Sequence, residues 1–88
     1  MNTQLINKEE IPLMKIVDAQ VDQSAKWREM LEYGVRLGNE FKGKTSISFQ
    51  TEDGIRTVET TIWSATDKYL SLKGGIIIPL KSITDLQF

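Results

Sequence analysis

The C-terminal half of the chain alternates apolar and polar residues, and short turn-forming sequences interrupt the alternation. Ile47 and Phe49 are separated by polar residues, and glycine-containing reversals follow at 52–54 and at Gly74-Gly75. A period of two places every second side chain on the same face of a strand, and glycine accepts the positive φ that tight hairpins need. The pattern therefore predicts short strands joined by hairpins.

Five strands are predicted in this half. They comprise residues 46–50, 56–63, 69–73, 76–78 and 83–88. The side chains expected to face inward on the second and third strands are Val58, Thr60, Ile62, Leu70 and Leu72. The fourth strand ends at Pro79, which has no N–H to give to a ladder. Five short strands bury their apolar face by curling into a small barrel, so the predicted class is α+β, mainly β with an N-terminal helix.

An amphipathic helix is predicted before the strands, over residues 24–37. Its apolar residues recur at steps of three and four: Trp27, Met30, Leu31 and Val35. This stripe is expected to pack on the barrel, and a partner-binding groove is the alternative. Ser24 or Asp22 can cap the first turn.

The preceding residues are predicted to form an N-terminal arm, residues 1–23, that is partly helical. A second helical stripe runs through it at Leu13, Ile16, Val17 and Val21. This segment either joins the next helix or stands alone. The domain itself is then residues 24–88, a helix plus a five-stranded barrel.

Composition excludes several kinds of chemistry. The chain contains no histidine and no cysteine, so thiolate metal sites are excluded and the usual general base near neutral pH is absent. We expect no enzyme activity, no metal and no cofactor; a carboxylate-based enzyme is the remaining alternative. Glu52 and Asp53 are explained by a turn, and Glu59 by a solvated strand face. With no long apolar run and a polar N-terminus, the chain is expected to be cytoplasmic, with no membrane contact.

The stretch from Leu72 to Leu86 resembles the end of an SH3-like barrel, in which a Gly-hydrophobic-Ile-Pro strand passes through a 3₁₀ turn into a short last strand. A helix followed by five strands also resembles the Sm-like family, and Lys73-Gly74 is similar to that family's second motif. The Asp-Gly turn and residues 78–83 resemble the Rho-binding antiterminators, which are Sm-like too, and the whole pattern resembles small conserved bacterial proteins. Residues 63–67 do not match the first Sm motif, so the resemblance implies the barrel and not a uridine pocket.

A group of basic and aromatic residues is the candidate nucleic-acid-binding surface. It comprises Arg56, Trp63, Lys68, Tyr69 and Lys73. If the aromatic side chains point outward, they can stack on bases while the cations neutralise phosphates. In the alternative interpretation Trp63 packs against the helix and the lysines are solvated turn residues. Gly74-Gly75 is interpreted as a turn and not as a phosphate loop.

The last strand is the candidate self-association surface. Its apolar residues are Ile83, Leu86 and Phe88. Apolar edge strands pair with other chains, so we expect a homo-oligomer formed through this edge or through the N-terminal arm. The predicted function is a non-enzymatic binding or assembly module with an RNA or protein partner, which the resemblance places in the transcription or RNA machinery. The alternative is a protein- or peptide-binding adaptor that uses the helix face or the barrel edge and has no nucleic-acid role.

Overall fold

A computed structural model describes residues 4–31 and 44–87 of the chain. Helix α1 covers residues 24–31, and 3₁₀ turns cover Lys8–Leu13 and Leu80–Ser82. The strands are β1 (Gln4–Ile6), β2 (Thr45–Thr51), β3 (Gly54–Thr60), β4 (Ile62–Ala65), β5 (Tyr69–Leu72), β6 (Ile76–Pro79) and β7 (Ile83–Gln87). The predicted mainly β class with an N-terminal helix is confirmed.

The strands form two sheets. One has the order β1-β3-β2-β7 and the other the order β4-β5-β6. All pairs are antiparallel except β1 with β3, which is parallel. The predicted second strand, residues 56–63, is divided between the two sheets: β3 ends at Thr60 in one sheet, and β4 starts at Ile62 in the other. The chain thus passes from one sheet to the other within one residue.

The hairpin between β2 and β3 forms at the predicted Asp-Gly turn. Thr51 pairs with Gly54, and its hydroxyl donates to the Gly54 carbonyl at 2.7 Å and accepts the Asp53 N–H at 3.2 Å. Gly54 has a φ of 118°, a conformation that residues with a side chain rarely adopt. A Cβ at this position would also lie 3.3 Å from the Arg56 guanidinium.

The predicted alternation is visible in the burial of the strands. Every second residue of β2 is buried, from Thr45 to Thr51, and the residues expected to face inward on β3 to β5 are buried as predicted. The apolar core comprises Ile6, Ile11, Trp27, Leu31, Ile47, Phe49, Val58, Ile62, Leu70, Leu72, Ile78, Leu80, Ile83 and Leu86. It draws on both sheets, on α1 and on the N-terminal segment.

Helix α1 packs on the core through the predicted stripe. Trp27 and Leu31 are buried and Met30 is partly buried against them. The Trp27 indole donates to the Ile83 carbonyl at 3.0 Å. Ahead of the helix, the Asp22 carboxylate accepts the backbone N–H and the hydroxyl of Ser24. The remainder of the predicted helix, with Val35, lies outside the described residues.

The helical stripe predicted at Leu13, Ile16, Val17 and Val21 is wrong. Residues 14–23 are not helical, and Leu13 and Val21 are exposed. Extended backbone here has partners in the body of the protein that a helix would lose: Val17 N–H donates to Gln50 O at 3.1 Å and Ala19 N–H to Lys81 O at 2.8 Å. Backbone pairing with existing structure outweighs a weak local periodicity.

The start of the chain is attached to both central strands of the larger sheet. β1 pairs with residues 56–58 of β3, and Ile16 forms a bridge with Thr51 at the end of β2. Between these points the 3₁₀ turn buries Ile11 in the core. The segment predicted as an arm therefore supplies part of the core.

Candidate functional site

Three large hydrophobic side chains are exposed on the β4-β5-β6 sheet. Trp63 is 50% exposed, Tyr69 48% and Ile77 56%. Their chain neighbours Ile62, Leu70 and Ile78 are buried, so the period of two turns these three outward. We call Trp63, Tyr69 and Ile77 the outer apolar face.

An irregularity in β4 sets the position of Trp63. Ile62 pairs with Leu72, whereas Ser64 pairs with Ser71, so the register shifts across Trp63. Two residues of β4 then correspond to a single step of β5, which is the geometry of a bulge, and bulges re-aim side chains. At half exposure Trp63 is not part of the buried core.

The turn before β5 fixes Tyr69 and Lys68. The Thr66 hydroxyl accepts the backbone N–H groups of Lys68 at 3.2 Å and Tyr69 at 3.0 Å, and Thr66 N–H donates to Tyr69 O at 2.7 Å. The Lys68 carbonyl accepts the Leu80 N–H at 2.9 Å. Both the N–H and the carbonyl of Lys68 are therefore hydrogen-bonded, which fixes the backbone from which its exposed side chain extends.

Lys73 lies at the other end of β5, in the turn to β6. Its N–H donates to Thr61 O at 3.0 Å, and positive φ angles at Gly74 and Gly75 reverse the chain. The predicted turn at Gly74-Gly75 is confirmed. The exposed Lys73 side chain lines a polar cleft together with Lys8 and Lys44.

Arg56 is placed apart from the outer apolar face. It pairs with Phe49 in the larger sheet, on the row that faces the core. Its guanidinium donates to Ile55 O and Asp53 O, each at 3.1 Å, and so braces the β2–β3 turn. Trp63 is seven positions further along the chain, in β4 of the other sheet. The structure places Trp63 and Tyr69 on one sheet with Lys68 in the turn between β4 and β5, and it leaves Arg56 beside the β2–β3 turn.

The residues predicted for self-association are not exposed where the structure describes them. Ile83 and Leu86 are buried in the core, so their side chains are not available to another chain, and Phe88 lies outside the described residues. β7 nevertheless ends the described β1-β3-β2-β7 order. What β7 offers a partner is its backbone edge and the exposed side chains Asp85 and Gln87.

Two groups of residues at these surfaces were not selected from the sequence. Ile77 is the middle of three isoleucines. Because side chains alternate along a strand, the sequence already contained the information that Ile77 faces outward when Ile78 is buried. Lys44 reaches the cleft that Lys73 lines because β2 pairs with β3, and Lys8 reaches it because β1 pairs with β3. No local pattern in the sequence indicates that parallel pairing.

Two exposed carboxylates have lowered pKa values. Hydrogen bonds from its own backbone and from Lys8 lower the pKa of Glu9, and the hydroxyl and N–H of Ser24 lower the pKa of Asp22. In each case the hydrogen bonds favour the ionised form of the carboxyl group. Within residues 4–31 and 44–87, no cluster of three or more carboxylates could hold a metal ion.

Comparison with known proteins gives no relatives: no family model, no curated protein and no solved structure matches the chain. Across the described part of the chain, none of the helices has both the length and the apolar composition needed to cross a membrane.

Proposed function

We propose that this protein is a non-enzymatic binding module that takes single-stranded RNA on the outer apolar face. The observation that carries the proposal is the half-exposure of Trp63 and Tyr69 on one three-stranded sheet, with exposed lysines at both ends of β5. Aromatic side chains stack on unpaired bases, and each such contact contributes about 1–3 kcal/mol. Lys68 and Lys73 neutralise the phosphates of the same strand.

The charge of the protein favours binding of RNA by a local group of cations and not by a general electrostatic attraction. The net charge of −1 provides no general attraction for nucleic acid. Binding then depends on the few cations beside the aromatic residues. We expect weak, sequence-tolerant and salt-dependent binding, because stacking accepts every base and phosphate neutralisation releases counterions.

The proposed architecture is a five-stranded barrel of the Sm-like or SH3-like kind. Two features support it: β3 continues into β4 with one intervening residue, and β7 returns through a 3₁₀ turn to pair with β2. The first and last of the five C-terminal strand segments therefore lie side by side, as closure of a barrel requires. We place the protein in the cytoplasm of a bacterium, in association with RNA or the transcription machinery.

Self-association is proposed through the backbone edge of β7. An edge strand presents unpaired N–H and C=O groups that a second copy can extend. Thr84→Lys adds a charge to this edge, and we expect it to reduce the average mass measured by light scattering. A wild-type monomer at tens of micromolar would contradict the proposal.

The binding experiment compares a labelled single-stranded RNA of ten nucleotides with the same sequence as a duplex. We expect the single strand to bind more tightly, and Trp63→Ala and Tyr69→Ala each to weaken that binding at least about fivefold. Leu13→Ala is the matched control, because Leu13 is 87% exposed but lies outside the face. Equal affinities for all variants, or no binding at low salt, would overturn the proposal.

One observation favours a protein-binding adaptor as the second candidate. A groove beside Ile77 is lined only by uncharged residues, among them Pro12, Met14 and Ile76. Such a surface suits an apolar peptide. Affinity capture before and after nuclease treatment separates the two functions: RNA-dependent partners disappear after nuclease, and partners of the groove remain.

A further inference from the structure

A polar cleft of about 260 Å³ lies where the N-terminal segment meets the end of β5. Three lysines from separate parts of the chain line it: Lys8 on the first 3₁₀ turn, Lys44 before β2 and Lys73 after β5. Two carboxylates, Glu9 and Glu59, share the lining. The charged groups of the cleft therefore sum to +1, in a protein whose net charge is −1.

Two observations locate the Lys8 side chain in this cleft. Its Nζ lies 3.2 Å from Glu9 Oε1, and its side chain is 27% exposed. Its stem passes beside Gly74, where an added Cβ would lie 3.5 Å from the Lys8 Cε. This position keeps one ammonium group next to the turn that carries Lys73.

The other two lysines are not compensated in the same way. Among residues 4–31 and 44–87, the ion pairs are Lys8–Glu9 and Lys15–Glu52, so neither Lys44 nor Lys73 has a carboxylate within ion-pair distance. Like charges that face one cleft raise its potential and favour a bound anion. The threonine side chains at positions 60 and 61 and the Asn7 amide add hydrogen-bonding groups to the same lining.

We propose that this cleft binds phosphate groups of a phosphodiester backbone. The proposal rests on the proposed function, because Lys73 belongs both to the cleft and to the end of the strand that carries Tyr69. Lys73 is four positions after Tyr69 in the chain, about 13 Å if the chain is extended. A strand of a few nucleotides stacked on the outer apolar face can therefore place its next phosphates between Lys8, Lys44 and Lys73.

The test uses ligands that have phosphates and no bases. Tripolyphosphate and an abasic sugar-phosphate oligomer are titrated into the ¹⁵N-labelled protein at low salt, and the ten-nucleotide RNA is titrated in parallel. We expect the abasic oligomer to shift the amide signals of residues 8, 44 and 73. Lys8→Gln and Lys44→Gln should each weaken its binding about two- to fivefold, whereas Lys15→Gln, a lysine outside the cleft, should leave it unchanged.

Glu59→Gln gives a change in the opposite direction, because it removes a negative charge from the lining and should tighten binding of the abasic oligomer.

The outcomes distinguish a failure of the cleft proposal from a failure of the proposed RNA-binding function. If Trp63→Ala weakens RNA binding while Lys8→Gln and Lys44→Gln have no effect on any ligand, the cleft is wrong and the aromatic interface stands. If the cleft variants lose the abasic oligomer while Trp63→Ala leaves RNA binding intact, the cleft stands alone. Binding of tripolyphosphate without the abasic oligomer assigns the cleft to free phosphate chains and overturns the backbone proposal.

Discussion

The indole N–H of Trp27 donates a hydrogen bond to the main-chain carbonyl of Ile83 at 3.0 Å, in the interior and across 56 residues of chain. A buried indole needs such an acceptor. The bond joins helix α1 to the first residue of β7. This residue directly follows the 3₁₀ turn at 80–82, after which β7 pairs with β2. It therefore links the helix to the pairing of the last strand.

Removal of this bond should destabilise the fold without opening a large cavity. Trp27→Phe keeps most of the apolar surface but removes the hydrogen bond to the Ile83 carbonyl. We expect the free energy of unfolding in urea to fall by about 1–3 kcal/mol. Leu13→Ala, at an exposed position, should change it by less than about 0.5 kcal/mol. An unchanged midpoint for Trp27→Phe would mean that the helix does not hold β7.

Two glycines in turns should respond differently to alanine. Gly54 combines a φ of 118° with a 3.3 Å approach to the Arg56 side chain, whereas Gly75 has a φ of 81° and open space around it. Gly54→Ala should lower the free energy of unfolding by about 1–3 kcal/mol, and Gly75→Ala by about 1–2 kcal/mol. We expect Gly54→Ala to be the more destabilising of the two, and thermal unfolding of both variants under the same conditions measures this difference. The reverse order would show that the β2–β3 turn relaxes easily.

The strands were predictable because their burial follows the local sequence. Phe49 and Leu70 are inward as the alternation predicted, whereas the sequence left open whether Trp63 and Tyr69 are exposed. The turn at Asp53-Gly54 followed from the backbone preference of glycine. The amphipathic start of α1 was equally local, since the spacing of Trp27 and Leu31 defines one helix face.

What the sequence could not supply depends on long-range pairing. The strand at residues 4–6 exists because β3 offers it an edge, and residues 15–19 are extended because β2 and the 3₁₀ turn accept their hydrogen bonds. The same pairing delivers Lys8 to the cleft beside Lys73. Arg56 illustrates the converse, because a basic residue near a turn was grouped with Trp63, and its guanidinium instead bonds to the turn beneath it.

Arg56 and Lys68 provide a direct comparison for the interface. Lys68→Gln should weaken binding of single-stranded RNA and reduce the slope of log K against log salt by about 0.7, the value for one phosphate. Arg56→Gln should leave both quantities unchanged and lower the free energy of unfolding, because its hydrogen bonds brace a turn. Fluorescence anisotropy at several salt concentrations gives the slopes. Loss of RNA affinity in Arg56→Gln at unchanged stability would place the interface at the hairpin instead.

Asp22 should make a pH-dependent contribution to stability. The hydroxyl and N–H of Ser24 hold the pKa of its carboxyl below the ordinary value. Because the folded-state pKa is the lower one, the stabilisation is complete above the unfolded-state pKa and is lost as the pH falls through the folded-state pKa. Asp22→Asn should therefore be less stable than wild type at neutral pH and equal to it in strong acid. A stability difference between Asp22→Asn and wild type that stays constant with pH would exclude the ionic contribution.

The two tryptophans allow the most direct test of the proposed interface. Trp27 is buried and bonded to Ile83, whereas Trp63 is half exposed on the outer apolar face. In ¹H–¹⁵N spectra, a ten-nucleotide single-stranded RNA at low salt should shift the Trp63 indole signal progressively and leave the Trp27 indole signal in place. An unmoved Trp63 signal at saturating RNA, or a shift of Trp27 alone, would contradict binding on this sheet.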